Sequence, residues 1–468
     1  MADITAFGGT FWEPGVDRQS AGKLTLSSDG KPELRVDNMI TNETTVVIQQ
    51  HANGETHVYR NEKNAQAVVR DQLARTLHGM TVDHIPMTLL ESHGGNTTWA
   101  GLGQEFTCRF VIIGGHFRQH QGYQRVRFST IRAIAEPMSR EDATFEAYGG
   151  GTISAYEESD KWWIEFSLNA SATVRMIGSH LLLPCNTLTS IALRRPFPLM
   201  ESQLRTAADS AWLTYFSHRS TRTNPTLATG QKLLPHGSIT AGRLADWTDL
   251  SAKAEALVDA LAGHDDAAPI EAQIITLTSI CEGVDRRVYG EQPFFESLSA
   301  SALNNVKKAA RKAVREKLAT YSILETEPVQ KHIADVMVML GKMPFTNRLA
   351  RLAAVASAVD PAMLRSFKNW PASVHSVRNK IVHQYDISAY QKPLDVDETE
   401  RDEKEFDLRI SVAFSLIWVL KLTFLSAANF PLEIIREGLS DHEPYEYALA
   451  NIAVLMENHP EGLPLQQQ

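Results

Sequence analysis

The chain has 468 residues, of which 43% are hydrophobic and 22% charged, and its formal net charge is −9. This composition is typical of a globular protein with a sizeable core. The negative charge excludes a protein whose whole surface binds nucleic acid, so any contact with RNA or DNA must use a local basic patch. The cysteines, Cys108, Cys185 and Cys281, lie far apart. Their spacing excludes a CxxC redox or zinc motif and fits a reducing, cytoplasmic setting.

The amino-terminal half favours β-structure. From Gly8 to about Arg195, short alternating runs such as KLTLSS, FTCRFVIIGG and WWIEFSLNA are typical of strands. Between Phe197 and His264 the pattern shifts toward helix, in ESQLRTAADSAWLTYF and LSAKAEALVDALAG, and the polar segment GHDDAAP then indicates a break. We therefore predict a β-rich amino-terminal domain with a helical carboxyl-terminal part over residues 1–265.

The carboxyl-terminal half favours helices almost throughout. One apolar stripe recurs every three or four residues, at Ile270, Ile274, Leu277, Ile280, Val284 and Val288. We predict an all-α bundle over residues 266–468, and hence an α+β multidomain fold. The acidic run DVDETERDEKEFD at 395–407 is predicted to be a solvated loop that leads into a helix.

No segment favours membrane insertion or secretion. The longest apolar run, ISVAFSLIWVL, ends at Lys421 and is well short of the ~20 residues that a span needs, so we interpret it as a buried helix. The beginning of the chain, MADITAFGG, lacks the charged-then-apolar pattern of a signal peptide. We expect a cytoplasmic protein with no membrane partner.

The segment SVHSVRNKIVHQYD at 373–386 combines a helical stripe with unusual polar residues. The stripe is formed by apolar residues spaced 3, 4 and 4 apart, at Val374, Val377, Ile381 and Tyr385. Asn379 and His383 are four residues apart on roughly the opposite side, and Arg378 flanks the stripe. The three polar residues are therefore predicted to face away from the core of their own bundle.

An arginine, an amide and a histidine suit RNA cleavage without a metal ion. That reaction needs a group that moves the proton of the 2′-hydroxyl or the leaving oxygen, and a fixed cation for the charge that grows on the phosphate. Histidine can transfer the proton near neutral pH, and arginine can hold the phosphate through paired hydrogen bonds. Spacing alone also permits an ordinary solvated helix surface.

The run RNKIVH matches the Arg-polar-x3-His signature of the HEPN superfamily, and SFKNWPASVHSVRNKIVHQY resembles the usual approach to that signature, with a Trp before the motif helix. The region from about Ile270 to Glu457 is similar in layout to the HEPN domain of ApeA-like bacterial anti-phage defence proteins. The β-rich half, which opens GGTFWEPGVDRQSAGKLTLSSDG, resembles the amino-terminal domain that accompanies it.

The resemblance implies a metal-independent endoribonuclease that needs no cofactor and stays quiet until the β-rich domain senses a phage-derived trigger. Arg378 and His383 would be the catalytic pair and Asn379 their polar support. The expected partners are RNA, such as a tRNA or another single-stranded or loop RNA, and a second subunit, since family members generally act as dimers. Two alternatives stay open: a catalytically silent bundle for dimerisation or RNA binding, and a β-domain ligand sensor that uses the bundle as its signalling partner.

A second basic feature lies earlier in the bundle. The segment NNVKKAARKAVREKL places five cations on one helix face, Lys307, Lys308, Arg311, Lys312 and Arg315. This face could follow an RNA backbone, and a plain solvated face fits the pattern equally well.

Two further patterns are weaker. His116 and His120 have no third ligand nearby in sequence, which disfavours a metal site. The segment YGGGTIS at 148–154 lacks the Lys-Ser/Thr of a phosphate loop, so we predict a turn or bulge there.

Overall fold

The structure is a computed structural model. It describes residues 4–27, 31–41, 46–50, 56–60, 74–97, 103–130, 142–159, 161–193, 201–217, 232–235, 237–264, 267–321, 326–383 and 396–463. The chain divides into two compact units, Met1–Ala252 and Lys253–Gln468. The boundary predicted after residue 265 lies on the carboxyl side of this division, at positions outside the described residues.

The amino-terminal unit is built on antiparallel strands. In chain order these are β1 Ile4–Trp12, β2 Gln19–Ser27, β3 Glu33–Val36, β4 Val46–Gln50, β5 Thr56–Arg60, β6 Arg75–Thr81, β7 Pro86–Thr97, β8 Gln104–Ile113, β9 Tyr123–Thr130, β10 Ala143–Phe145, β11 Gly151–Glu158, β12 Lys161–Ala172, β13 Glu201–Arg205 and β14 Leu213–Ser217. The strands β4 and β5 pair only with each other among the described residues, as a separate hairpin.

Six of the strands close into a barrel. They pair in the order β8-β3-β2-β1-β6-β7, and β7 pairs again with β8. Alternate residues point inward and form an apolar core that includes Phe11, Leu24, Leu34, Leu77, Leu89 and Phe106. Successive side chains of a strand point to opposite faces, so buried and exposed residues alternate along the sequence. This alternation made the β-rich character visible in the sequence.

The strand β8 belongs to the barrel and to a second sheet. One edge of β8 pairs along its length with β7. The other edge is divided: residues 104–107 pair with β3, and residues 110–113 pair with β14. From β14 the sheet continues through β13, β9, β12 and β11 to β10.

Helices complete the amino-terminal unit. After β12 a continuous helical run, α1, has α-helical parts Val174–Ile177 and Leu183–Leu193 around a π-helical part Gly178–Leu182. The next helix, α2 Ala241–Ala254, buries Trp247, whose indole Nε1 donates to Thr187 Oγ1 of α1 over 3.2 Å.

The carboxyl-terminal unit is helical, as predicted. Its helices are α3 Ala256–Ala262, α4 Ile270–Val288, α5 Ala300–Thr320, α6 Glu327–Met339, α7 Phe345–Val359, α8 Trp370–His383, α9 Val396–Ala427, α10 Leu432–Ser440 and α11 Glu443–Met456. The predicted stripe of α4 is buried at Ile274, Leu277, Ile280 and Val284. An α+β layout of a sheet-rich unit followed by an all-helical unit is therefore confirmed.

The long helix α9 forms the centre of this bundle and packs against α4, α7, α8 and α11. The segment Asp402–Ala427 is apolar and long enough to cross a membrane by composition, with a mean hydropathy of 1.9, but 67% of the apolar window is buried inside the protein. Such burial is expected for the core helix of a soluble bundle, which confirms the prediction for ISVAFSLIWVL.

Three predictions about local structure were wrong. The segment ESQLRTAADSAWLTYF forms the hairpin β13–β14 instead of a helix, and the buried Leu204 and Tyr215 show the alternation of strands. A helix, α1, interrupts the part predicted to be β. The acidic run at 395–407 is helical from Val396, because charged residues on a helix surface need no loop.

Candidate functional site

The motif helix α8 is anchored at its beginning. Asn369 Oδ1 accepts a hydrogen bond from the Ala372 backbone N–H, as expected for a residue that caps a helix. Trp370 is the first residue of the helix, and its buried indole Nε1 donates to Ser415 Oγ of α9 over 2.7 Å. These contacts fix the beginning of the motif helix against α9.

The apolar stripe of α8 packs inward as predicted over the part that is described. Val374 and Val377 are fully buried and Ile381 is half-buried. Tyr385 lies outside the described residues. The helix contacts α4, α7 and α9, so the elements that surround the motif come from three separate stretches of sequence.

Arg378 is half-buried and is held from two sides. Its guanidinium carbon lies 4.7 Å from the centre of the Phe345 ring, at the beginning of α7, within the range of a cation–π contact. Its Nη2 is 3.7 Å from Glu282 Oε2 of α4. The same carboxylate accepts a shorter 2.7 Å hydrogen bond from Arg286, so two arginines share one negative charge.

Asn379 is half-buried and pairs with a histidine that the sequence analysis overlooked. Its Nδ2 lies 3.1 Å from Nε2 of His375, one turn earlier on the same helix. The His375 ring is tilted against Phe345, with 6.3 Å between ring centres. Phe345 therefore contacts both Arg378 and His375.

His383 is the last residue of α8. Its backbone places it one turn beyond Asn379, a rise of about 6 Å along the helix axis. The His383 side chain lies outside the described residues, so its contacts form no part of this geometry.

A chain of ion pairs borders the motif on its other flank. Lys380 Nζ is 3.3 Å from Glu405 of α9, and Glu405 accepts a 2.6 Å hydrogen bond from Arg409, which also binds Glu271. Burial by itself would raise the pKa of Glu405, but the hydrogen bond from Arg409 and the charge of Lys380 outweigh it and lower the pKa. Glu405 thus stays ionised and holds α8 against α9.

The predicted basic face on α5 is exposed. Lys308, Lys312 and Arg315 are exposed, Lys307 and Arg311 are half-buried, and no residue of α5 is fully buried. Lys312 forms a 3.7 Å ion pair with Glu316. The helix α5 packs on α6, whereas α8 packs on α4, α7 and α9, so the two groups of predicted residues lie on separately supported helices.

The two histidines in the loop after β8 do not come together. His116 stacks on His78 of β6 with 4.7 Å between ring centres, and Trp12 meets both rings edge-on. His116 Nε2 binds the Gly79 carbonyl and His78 Nε2 binds the Phe117 carbonyl. His120 instead lines a cavity of about 300 Å³ beside Glu91. Across the described residues, no group of three or more metal-binding side chains occurs.

Sequence reasoning found the residues of one helix and missed those that support them. Phe345 and Glu282 contact Arg378 from α7 and α4, and no local pattern relates them to the motif. His375 offered a signal, since it precedes Asn379 by four residues on the same face.

No family model, curated protein or solved structure matches the chain. The geometry around α8 is therefore the basis for a functional assignment.

Proposed function

We propose that the carboxyl-terminal unit is a metal-independent endoribonuclease of the HEPN type. The observation that carries the proposal is that Arg378 and Asn379 are adjacent and half-buried on a helix, and that each is held by a neighbouring side chain. A fixed guanidinium and a fixed amide next to a histidine form the set of groups that phosphodiester transfer in RNA requires.

In this mechanism the 2′-hydroxyl attacks its own phosphate. His383 moves the proton, Arg378 stabilises the charge on the phosphate oxygens, and Asn379 orients the reacting groups. The products carry a 2′,3′-cyclic phosphate and a 5′-hydroxyl. We further propose that the β-rich unit restrains this activity until a phage-derived trigger arrives, and that cleavage of cellular RNA then halts the infection.

The proposal is tested by sequencing of RNA ends in phage-infected cells that produce the protein, and by RNA cleavage with protein purified from those cells. Removal of an acid–base group typically costs about 10²- to 10⁴-fold, so we expect His383→Ala to lose activity on that scale. Arg378→Lys should also fail, because an ammonium cannot make the paired contacts of a guanidinium. Cleavage that EDTA abolishes, products with 5′-phosphates, or near-wild-type activity of both variants would contradict the proposal.

One observation favours the second candidate, a catalytically silent module for dimerisation or RNA binding. The contacts of Arg378 with Phe345 and Glu282 are also those of a structural arginine. If Arg378→Lys lowers the melting temperature while RNA stays intact with every variant, the structural role is the correct one.

A further inference from the structure

The contact between His375 and Asn379 joins the amide nitrogen of one side chain to a ring nitrogen of the other. The amide Nδ2 of Asn379 can only donate, so Nε2 of His375, 3.1 Å away, must accept with its lone pair. In this contact His375 is an acceptor toward the motif.

This bond fixes the direction of the Asn379 side chain. With Nδ2 turned toward His375, the carbonyl Oδ1 points away from it, and no other partner of this amide occurs among the described residues. An asparagine without such a contact could present either end of its amide, because its two ends have nearly the same shape. Here the exposed end is an acceptor.

The orientation is reinforced by Phe345. One ring supports the His375 imidazole at 6.3 Å and the Arg378 guanidinium at 4.7 Å. The guanidinium N–H donors of Arg378 and the Oδ1 acceptor of Asn379 thus lie on adjacent residues. Both are held by contacts that lead back to Phe345. An RNA chain offers the complementary pair, phosphate oxygens that accept and a 2′-hydroxyl that donates.

We propose that His375 is a positioning residue that holds Asn379 with Oδ1 outward, where it accepts a hydrogen bond from the 2′-hydroxyl of RNA. This inference rests on the proposed function. His375 acts through Asn379 and needs no contact with the substrate. The arrangement favours RNA over DNA at this position, because DNA lacks the donor.

The test compares two substitutions of similar size. Glutamine can accept from an asparagine four residues later on a helix, whereas leucine cannot. For His375→Leu we expect kcat to fall about three- to tenfold with KM little changed, which is the effect of one lost orienting hydrogen bond. For His375→Gln we expect kcat within about twofold of the wild type. Melting temperatures identify any variant that has lost its fold.

A second readout follows the contact itself. In protein labelled with 15N-asparagine, the side-chain signal of Asn379, identified by its loss in Asn379→Asp, should shift in His375→Leu and stay near its wild-type position in His375→Gln. Equal kcat for wild type and His375→Leu, equal loss in both variants, or an unchanged Asn379 signal in His375→Leu would overturn the role of His375. RNA left intact by the wild-type protein in phage-infected cells, and by protein purified from them, would instead overturn the proposed function and, with it, this role.

Discussion

Arg378 combines contacts within the fold with the role that we propose for it in the reaction. Its guanidinium lies against Phe345 and near Glu282, and the latter is bound more closely by Arg286. A phosphate that approaches this site meets a cation whose nearest carboxylate is already shared with another arginine. In the proposed reaction we expect the face of the guanidinium to stay on Phe345 while its edge exchanges Glu282 for phosphate.

Asp285 is the residue on which we expect the stability of the helical unit to depend most. It is fully buried in α4, 3.0 Å from Arg348 and 2.6 Å from Arg351 of α7. Replacement by asparagine leaves Arg348, which is 3% exposed, without its buried counter-charge. We expect Asp285→Asn to lower the free energy of unfolding by about 3–5 kcal/mol in urea titrations.

A matched control is an exposed ion pair of the same helix, α4. Glu255 binds Arg287 over 2.6 Å, but its side chain is 68% exposed. Glu255→Gln should therefore change the free energy of unfolding by less than about 1 kcal/mol. Equal effects of the two substitutions would mean that Asp285 is not the electrostatic centre of the bundle.

The stacked pair of His78 and His116 predicts a pH dependence in the amino-terminal unit. Burial lowers the pKa of His78 below 6.5, the hydrogen bond to the Phe117 carbonyl opposes this, and the charge of His116 lowers the pKa again. A histidine whose pKa is lower in the folded state favours folding fully above about pH 6.5, and that contribution is lost as the pH falls through the folded-state value.

We therefore expect the free energy of unfolding of the barrel to decrease between about pH 7 and pH 5, and His78→Gln to weaken this decrease. Denaturant titrations followed by tryptophan fluorescence measure it, since Trp12 contacts both rings. An identical pH dependence in wild type and His78→Gln would exclude this pair as its source.

At the scale of elements, α5 is the helix best suited to follow an RNA backbone. Lys308 and Lys312 are exposed on it, and none of its residues is fully buried. The double substitution Lys308→Gln with Lys312→Gln should weaken RNA binding and reduce the dependence of log K on log salt by about 1.4, if each lysine meets one phosphate of a single strand.

Lys331 on α6 provides the control for this measurement, because it is also an exposed lysine on the neighbouring helix. Lys331→Gln removes one charge from α6 and leaves the predicted basic face of α5 unchanged. If Lys331→Gln reduces the salt dependence of RNA binding as much per removed charge as the double substitution does, the effect comes from net charge and not from α5.

The elements predicted correctly are those in which the spacing of apolar residues along the sequence matches the residues that are buried. Val374 and Val377 of α8 and Ile274 and Leu277 of α4 are buried as their spacing predicts. The hairpin at 201–217 was mistaken for a helix because its residues also permit helical spacing, and its pairing with β9 and β8 is a contact with distant sequence. The environment of Arg378 was unpredictable for the same reason, since Phe345 and Glu282 are brought by other helices.

At the scale of the whole molecule, the position of Arg378 and Asn379 on a half-buried face of α8 predicts a dimer. Electrostatic stabilisation of a phosphate is weak in bulk water, and a second subunit packed across a two-fold axis would enclose the site. We expect a homodimer through the motif face of the helical unit. Mixing inactive His383→Ala with inactive Arg378→Ala subunits should restore cleavage, since mixed dimers would contain one intact combination of Arg and His.

Sedimentation measurements supply the control for the mixing experiment. An active species that sediments only as a monomer at the assay concentration would contradict the dimer. So would mixtures of the two variants that stay inactive although mixed dimers are detected.

One edge of β8 pairs partly with β3 and partly with β14, so the barrel and the second sheet share this strand and are coupled through it. A slip of β8 by a single residue would turn Phe106 and Cys108 out of the barrel and would break the pairing with β14 at the same time. The barrel and the second sheet must therefore gain and lose their order together.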